Sequence, residues 1–229
     1  MISKKWFSNF ILMATLLFPI TSHAEPYWIF GNDTRYMALG DSLAAGYGAI
    51  PATQGYVYLL YQSGAFDTIP NTLFCNAGVP GATSREVLTY QVPQAIEEFQ
   101  PTVITITVGG NDLLTILNGA NPATVLAEFQ GNLTQILQKL RTGLPNTRIY
   151  ISNLYTIPEI PGADQIVPMF NQIVAGVAGQ FNVQVADVYS AFLGQNGLLL
   201  IERHNAGSQV HPTNAGYRVM EKAFEVVIP

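Results

Sequence analysis

The segment Thr102-Val103-Ile104-Thr105-Ile106-Thr107-Val108 is apolar or β-branched at every position. A strand of that kind is covered on both faces, so the chain must supply a layer on each side of it. Four more short strands are predicted, over 35–39, 72–75, 148–153 and 183–188, and helical signals lie between them. Thr83-Ser84-Arg85-Glu86 has the spacing of a capping box. Asn121-Pro122 gives a cap and an N1 proline, after which Val125, Leu126, Phe129, Leu133, Ile136, Leu137 and Leu140 recur at helical spacing. Thr213 or Asn214 caps a last helix running to about Val227. Strand–helix alternation with short connections predicts an α/β domain, a five-stranded parallel sheet sandwiched by helices in three layers. Ligands of such sheets gather beyond the carboxyl ends of the strands.

The first 24 residues stand apart from that pattern. Lys4 and Lys5 precede an apolar stretch from Phe10 to Phe18, and Ser22-His23-Ala24 offers small residues where a signal peptidase reads them. The stretch is too short to span a bilayer, so it reads as a leader cleaved near Ala24, with a secreted or periplasmic product and no stable membrane anchor. The single domain expected over 25–229 holds 229 − 24 = 205 residues. Without Lys4 and Lys5 it carries 10 − 2 = 8 basic side chains against 15 acidic ones, a net charge of −7. Such a chain is a poor binder of phosphate backbones, which argues against nucleic acid as a partner. Cys75, the one cysteine, allows neither an intramolecular disulfide nor a cysteine zinc cluster, and it reads as a buried strand-end residue.

Three polar elements directly follow strand ends, and a fourth follows the last strand by a longer excursion and precedes the last helix. Gly40-Asp41-Ser42-Leu43 follows an apolar strand and precedes small residues, so Ser42 stands on a tight turn either as a nucleophile or as a helix cap. Gly81 lies in Asn76-Ala77-Gly78-Val79-Pro80-Gly81, where glycines and a proline permit an unusual path with an outward N–H. Gly109-Gly110-Asn111-Asp112 follows the central strand, and a neutral asparagine amide suits an oxyanion; Asp112 is read only as a cap or loop tie. In Val210-His211-Pro212-Thr213 the proline holds His211 extended. The only other histidine of the mature chain, His204, falls in a polar stretch read as a solvated loop. No Gly-x-Ser-x-Gly elbow is present, and no clustered His, Cys or carboxylate motif asks for a metal or other cofactor.

In order and spacing, these four blocks resemble the SGNH (GDSL) hydrolase family over nearly the whole mature chain. The stretch Ala186-Asp187-Val188-Tyr189-Ser190-Ala191-Phe192 resembles one common in bacterial members. The resemblance implies a flavodoxin-like α/β/α sandwich and ester hydrolysis of the esterase, lipase or lysophospholipase type. It implies Ser42 as nucleophile, His211 as general base, and an oxyanion hole of the Ser42 N–H, the Gly81 N–H and the Asn111 side chain. One position departs from the family. An aspartate usually stands three residues before the histidine, and here that place is held by Ser208. Three readings stay open: a Ser–His dyad steadied by neutral groups such as Ser208, a carboxylate from elsewhere (Glu202 or Asp187), or a weakened or inactive member.

Substrate class is also open at this stage. Leu113 to Ala120, after Asn111, either line an acyl groove or bury a helix. A carbohydrate O-deacetylase, with Tyr47 and Tyr56 stacking on sugars, is the alternative enzyme. A non-catalytic glycan- or lipid-binding domain is the alternative outside enzymes. Small-molecule or lipid esters are the expected partners, and nothing in the sequence fixes an oligomeric state.

Overall fold

A computed structural model describes residues 34–66, 72–157, 160–204 and 207–229, of which 202–204 and 207–209 are described as backbone only. The predicted leader, Met1 to Ala24, lies outside the described residues. Five parallel strands form the main sheet: β1 (Arg35–Gly40), β2 (Leu73–Asn76), β3 (Val103–Thr107), β4 (Arg148–Ser152) and β5 (Gln184–Ala186). Their order is β2-β1-β3-β4-β5, with β1, β3 and β4 in the interior. Each strand falls within a residue or two of its expected span.

Helices fill the connections: α1 (Ser42–Ala45), α2 (Tyr56–Gln62), α3 (Ser84–Glu86), α4 (Gly110–Leu117), α5 (Pro122–Gly143), α6 (Ala163–Gln180), α7 (Val188–Phe192) and α8 (Asn214–Glu225). α3 starts with the expected capping box and runs on as π-helical turns over Val87–Gln91 and Gln94–Phe99. Asn121 caps α5 through Thr124 N–H, and Thr213 caps α8 through Gly216 N–H.

Alternation along the strands divides the core into two layers. Met37, Leu39, Ile104, Ile106, Ile149 and Ile151 face the helices α5 and α6. Tyr36, Ala38, Val103, Tyr150 and Ala186 face the layer of α2, α7 and α8, including Tyr56, Tyr217 and Phe224. Both faces of the sheet are therefore covered, as the β3 sequence requires. Among the described residues, no helix is long and apolar enough to cross a membrane.

Two expectations need correction. Cys75 is half-buried rather than buried, because β2 is an edge strand; burial, then the charge of Glu98, pushes its thiol up. The stretch before His211 is no loop. It folds as an antiparallel hairpin of β6 (Leu199–His204) and β7 (Gly207–Pro212), pairing Leu200 with His211 and Arg203 with Ser208. His204 thus ends a strand, although its side chain is outside the described residues.

Candidate active site

The site begins where β1 ends. Gly40 has φ +137, and a Cβ there would run into the carbonyl oxygen of Thr107 on the neighbouring strand, so glycine alone lets the chain turn here. Buried Gln91 grips the same residue twice. Its Oε1 accepts from Gly40 N–H at 2.6 Å, and its Nε2 donates to Gly40 C=O at 2.8 Å.

Asp41 caps α1 by accepting from Leu43 N–H at 2.9 Å, and it also accepts from the Thr107 hydroxyl at 3.1 Å. Burial dominates its titration and pushes its carboxyl up to about 6 in spite of those bonds. The cap leaves Ser42 at the first helical position. Its hydroxyl points to the cleft, and no hydrogen bond within the described residues claims its backbone N–H.

Two loops close on this turn. The chain leaving β2 is tied to β1 by Ala77 N–H on Ala38 C=O and Val79 N–H on Gly40 C=O. It then reaches Gly81, whose φ of +88 suits glycine and whose N–H is likewise unclaimed among the described residues. From the end of β3, Asn111 sends one amide hydrogen to Ala82 C=O at 2.9 Å, which leaves the other for a ligand. The neighbouring Asp112 accepts Ser84 N–H at 2.9 Å and the Ser84 hydroxyl at 2.6 Å. Asn132 completes the cluster by donating to the Ser84 hydroxyl at 3.0 Å. Asp112 is the loop tie its sequence position suggests. It fastens the Asn111 loop to the helix that follows Gly81.

His211 comes from the hairpin. Its Nε2 lies 3.0 Å from Ser42 Oγ, and the Tyr47 ring packs against the imidazole with centroids 4.4 Å apart. The scaffold around it is anchored by Tyr217, whose hydroxyl donates to Tyr47 C=O at 2.7 Å, and by Tyr155, whose hydroxyl donates to Val210 C=O at 3.3 Å. Of the candidates for a supporting group, the side chains of Ser208 and Glu202 are outside the described residues. The Asp187 carboxylate is engaged elsewhere. It caps α7 through Ser190 N–H and accepts from Asn153, bonds that outweigh the cost of burial and hold it below the usual carboxylate range.

Ser42, Gly81, Asn111 and His211 therefore line one cleft. That cleft is a cavity of about 320 Å³ whose other walls include Leu113, Leu114, Leu154, Ile160, Ala163 and Val167. The apolar run after Asn111 is divided: Leu113 and Leu114 line the cavity, while Ile116 is in the core. Tyr56 must be taken off the rim. It is fully buried and stacked on Phe224, 4.9 Å between ring centroids, because α2 turns it inward against α8. Sequence reasoning did not single out Gln91, Ser84 or Asn132. Among the described residues, no group of three His, Cys, Asp or Glu side chains is placed to hold a metal.

Residues 38–219 match the model of the GDSL-like Lipase/Acylhydrolase family. The chain is 31% identical to the spore germination lipase LipC of Bacillus licheniformis over 205 residues, which is 82% of this chain and 93% of the relative. It is 29% identical to the esterase TesA of Pseudomonas aeruginosa over 178 residues, 71% of this chain and 83% of the relative. Among solved structures, TesA superposes with a TM-score of 0.64 at 24% identity, covering 83% of this chain and 95% of that one. A mutant of Axe2, an acetyl-xylooligosaccharide esterase from Geobacillus, does so with a TM-score of 0.67 at 20% identity, covering 86% and 95%.

Proposed function

Because the chain belongs to the GDSL-like lipase/acylhydrolase family and is a carboxylic ester hydrolase, we propose that Ser42 is its nucleophile and His211 its general base. The observation that carries the reading is the 3.0 Å separation of His211 Nε2 from Ser42 Oγ, a distance at which a proton passes directly. With its proton on Nδ1, the imidazole accepts the Ser42 hydroxyl proton as Oγ bonds to the ester carbonyl carbon. The resulting oxyanion faces the free N–H groups of Ser42 and Gly81 and the second hydrogen of the Asn111 amide. These donors are held in place before reaction, so little reorganisation is needed as charge develops. The intermediate collapses by breaking its bond to the alcohol oxygen, which takes the proton from His211. Water, deprotonated by the same imidazole, then cleaves the acyl-enzyme and restores Ser42.

Ser208 occupies the position of the family's usual acid, and we place it as a neutral third member. A neutral group supports imidazolium less than a carboxylate does. Ser208→Asp is accordingly expected to raise kcat at neutral pH. The acyl side of the substrate fits the apolar cavity, which favours esters with an aliphatic chain over acetylated sugars. A glycan O-deacetylase has no need of such a cavity, and of the two tyrosines proposed to stack on sugars only Tyr47 lines the cleft. A purely binding role gives no reason to bring a histidine onto the serine.

Ser42→Ala should abolish hydrolysis of p-nitrophenyl esters, and a fluorophosphonate should label Ser42 in the folded protein. Activity that survives the substitution rules the site out. Rates along a series of acyl lengths separate the two enzyme readings, since a preference for acetyl alone excludes the longer-chain one. Export after cleavage near Ala24 is part of the same proposal, and N-terminal sequencing of the processed protein, expected to begin at Glu25, tests it.

A further inference from the structure

We propose that the acyl chain taken by this cleft carries a hydroxyl on its far half, and that Ser152 and Thr107 receive it. This rests on the ester-hydrolase reading of the site and adds the class of ester that the site takes. The cleft is apolar along Val108, Leu113, Leu114, Ile160 and Val167, but one stretch of its wall is not. There the ends of β3 and β4 bring Thr107 and Ser152 to the cavity.

The register places the two hydroxyls side by side. Ile106 pairs with Ile151, so Thr107 and Ser152 stand one step further along the same two parallel strands, and alternation turns both to the same face of the sheet. Both residues are buried, Thr107 at 1% exposure and Ser152 at 3%. Thr107 donates its hydroxyl hydrogen to Asp41 Oδ1 at 3.1 Å, which leaves its oxygen able to accept. Ser152 is different, since no hydrogen bond among the described residues claims its hydroxyl. The sealed side-chain atoms without a partner are Tyr56 Oη and Thr156 Oγ1. Ser152 Oγ is not one of them, so its free hydroxyl meets the cavity.

An unpaired hydroxyl in a largely apolar cavity selects its ligand. A plain methylene chain laid over Ser152 takes that group from water and gives it no partner, whereas a hydroxyl on the chain pairs with it. The chemistry required is narrow. Ser152 donates or accepts and Thr107 only accepts, so the group that completes the pair must itself accept and donate. A hydroxyl does both, while a carbonyl has no hydrogen to give Thr107. Adjacent strands lie about 4.8 Å apart, a gap that one oxygen at hydrogen-bond distance from each side bridges. Its place along the chain follows from the same spacing. Gly40, two residues before Ser42, pairs with Thr107, so the midpoint of Thr107 and Ser152 is one and a half strand spacings from β1, roughly 7 Å. That is beyond a hydroxyl next to the carbonyl and within reach of the far carbons of an octanoyl chain.

Methyl octanoate and the methyl octanoates hydroxylated at C6, C7 or C8 test this on the full chain. At least one hydroxylated ester should exceed octanoate in kcat/KM by about tenfold or more. Ser152→Ala should bring that ratio to within about threefold of unity. Ser152→Thr, which keeps a hydroxyl, should preserve it. Reading the ratio on each variant cancels any loss of folded protein. The proposal is overturned if octanoate is hydrolysed as well as every hydroxylated ester, or if the preference survives Ser152→Ala. Ester turnover that is absent, or that persists in Ser42→Ala, would instead count against the Ser42–His211 reading. Binding, which needs no chemistry, then decides. Calorimetry on the Ser42→Ala chain should show at least one hydroxylated ester bound about tenfold more tightly than octanoate, and the added Ser152→Ala should abolish the difference. Equal affinities on the Ser42→Ala chain overturn the proposal.

Discussion

Gln91 closes a two-bond ring with the backbone of Gly40, accepting its N–H at 2.6 Å and donating to its C=O at 2.8 Å. The side-chain amide thus acts as an added piece of strand where β1 gives way to the Ser42 turn. Gly40 C=O has a second donor in Val79 N–H, but the N–H has no other acceptor among the described residues. Gln91→Leu should therefore cost about 2–4 kcal/mol of unfolding free energy, mostly from the orphaned N–H. Because Ser42 is two residues away, kcat should fall roughly ten- to a hundredfold with KM little changed. Denaturant unfolding and steady-state kinetics on the same variant read both effects. A stability loss with unaltered kcat would limit Gln91 to a structural part.

The Asp112–Ser84 pair makes a second tie, this time between the loops of Gly81 and Asn111, the proposed oxyanion donors. Asp112→Ala strands the Ser84 N–H and the hydroxyl hydrogen in the interior, while the hydroxyl oxygen keeps Asn132, so a loss of about 2–3 kcal/mol is expected. Ser84→Ala removes the 2.6 Å hydroxyl bond but keeps the N–H contact, and it should cost less. A double-mutant cycle on the unfolding free energies should show a coupling of at least about 0.5 kcal/mol. Additive losses would mean the two residues act separately.

Much of this architecture is legible in the sequence because it is periodic. The all-apolar or β-branched 102–108 run and the helical repeat from Val125 to Leu140 each state how many faces are buried, and the structure buries those faces. The polar blocks at Ser42, Gly81, Asn111 and His211 stand out for the complementary reason, since each interrupts an apolar strand end or precedes a helix cap. Gln91, Ser84 and Asn132 carry no such mark. Their partners lie 51, 28 and 48 residues away in the chain, and a long-range polar pair imposes no local period. The β6–β7 hairpin is hidden because its apolar run, Leu198 to Ile201, is short and passes directly into Glu202-Arg203-His204. Tyr56 was misplaced by chemistry alone: an aromatic near the serine suits sugar stacking, but the inward face of α2 stacks it on Phe224.

Asp41 makes stability fall as pH rises. Its carboxyl is pushed up from 3.8 to about 6, chiefly by burial, so between those values the folded chain holds a proton that the unfolded chain has released. The contribution is complete below about pH 4 and lost as pH climbs through about 6. A change from 3.8 to about 6 corresponds to about 3 kcal/mol. Asp41→Asn keeps an oxygen for Leu43 N–H and Thr107 but cannot titrate. Urea unfolding of both chains from pH 3.5 to 7.5 should show the native protein losing about 3 kcal/mol relative to the variant as pH increases. Parallel profiles would mean that Asp41 is not titrating in that window.

Val167 offers the most direct control over the substrate. It lines the cavity together with Leu113 and Leu114 of α4 and is buried on the first turns of α6. Filling the cavity from this side shortens the space for an acyl chain without touching Ser42, His211 or the oxyanion donors. Val167→Phe should lower kcat/KM for a decanoyl ester about ten- to a hundredfold, because each methylene excluded from an apolar pocket forfeits about 1 kcal/mol or more. Acetyl ester turnover, which asks nothing of the deep cavity, should stay within about threefold. The ratio of the two rates cancels any general loss of folded protein. A ratio equal to that of the native chain would place the acyl group outside this cavity, on the open side of the cleft.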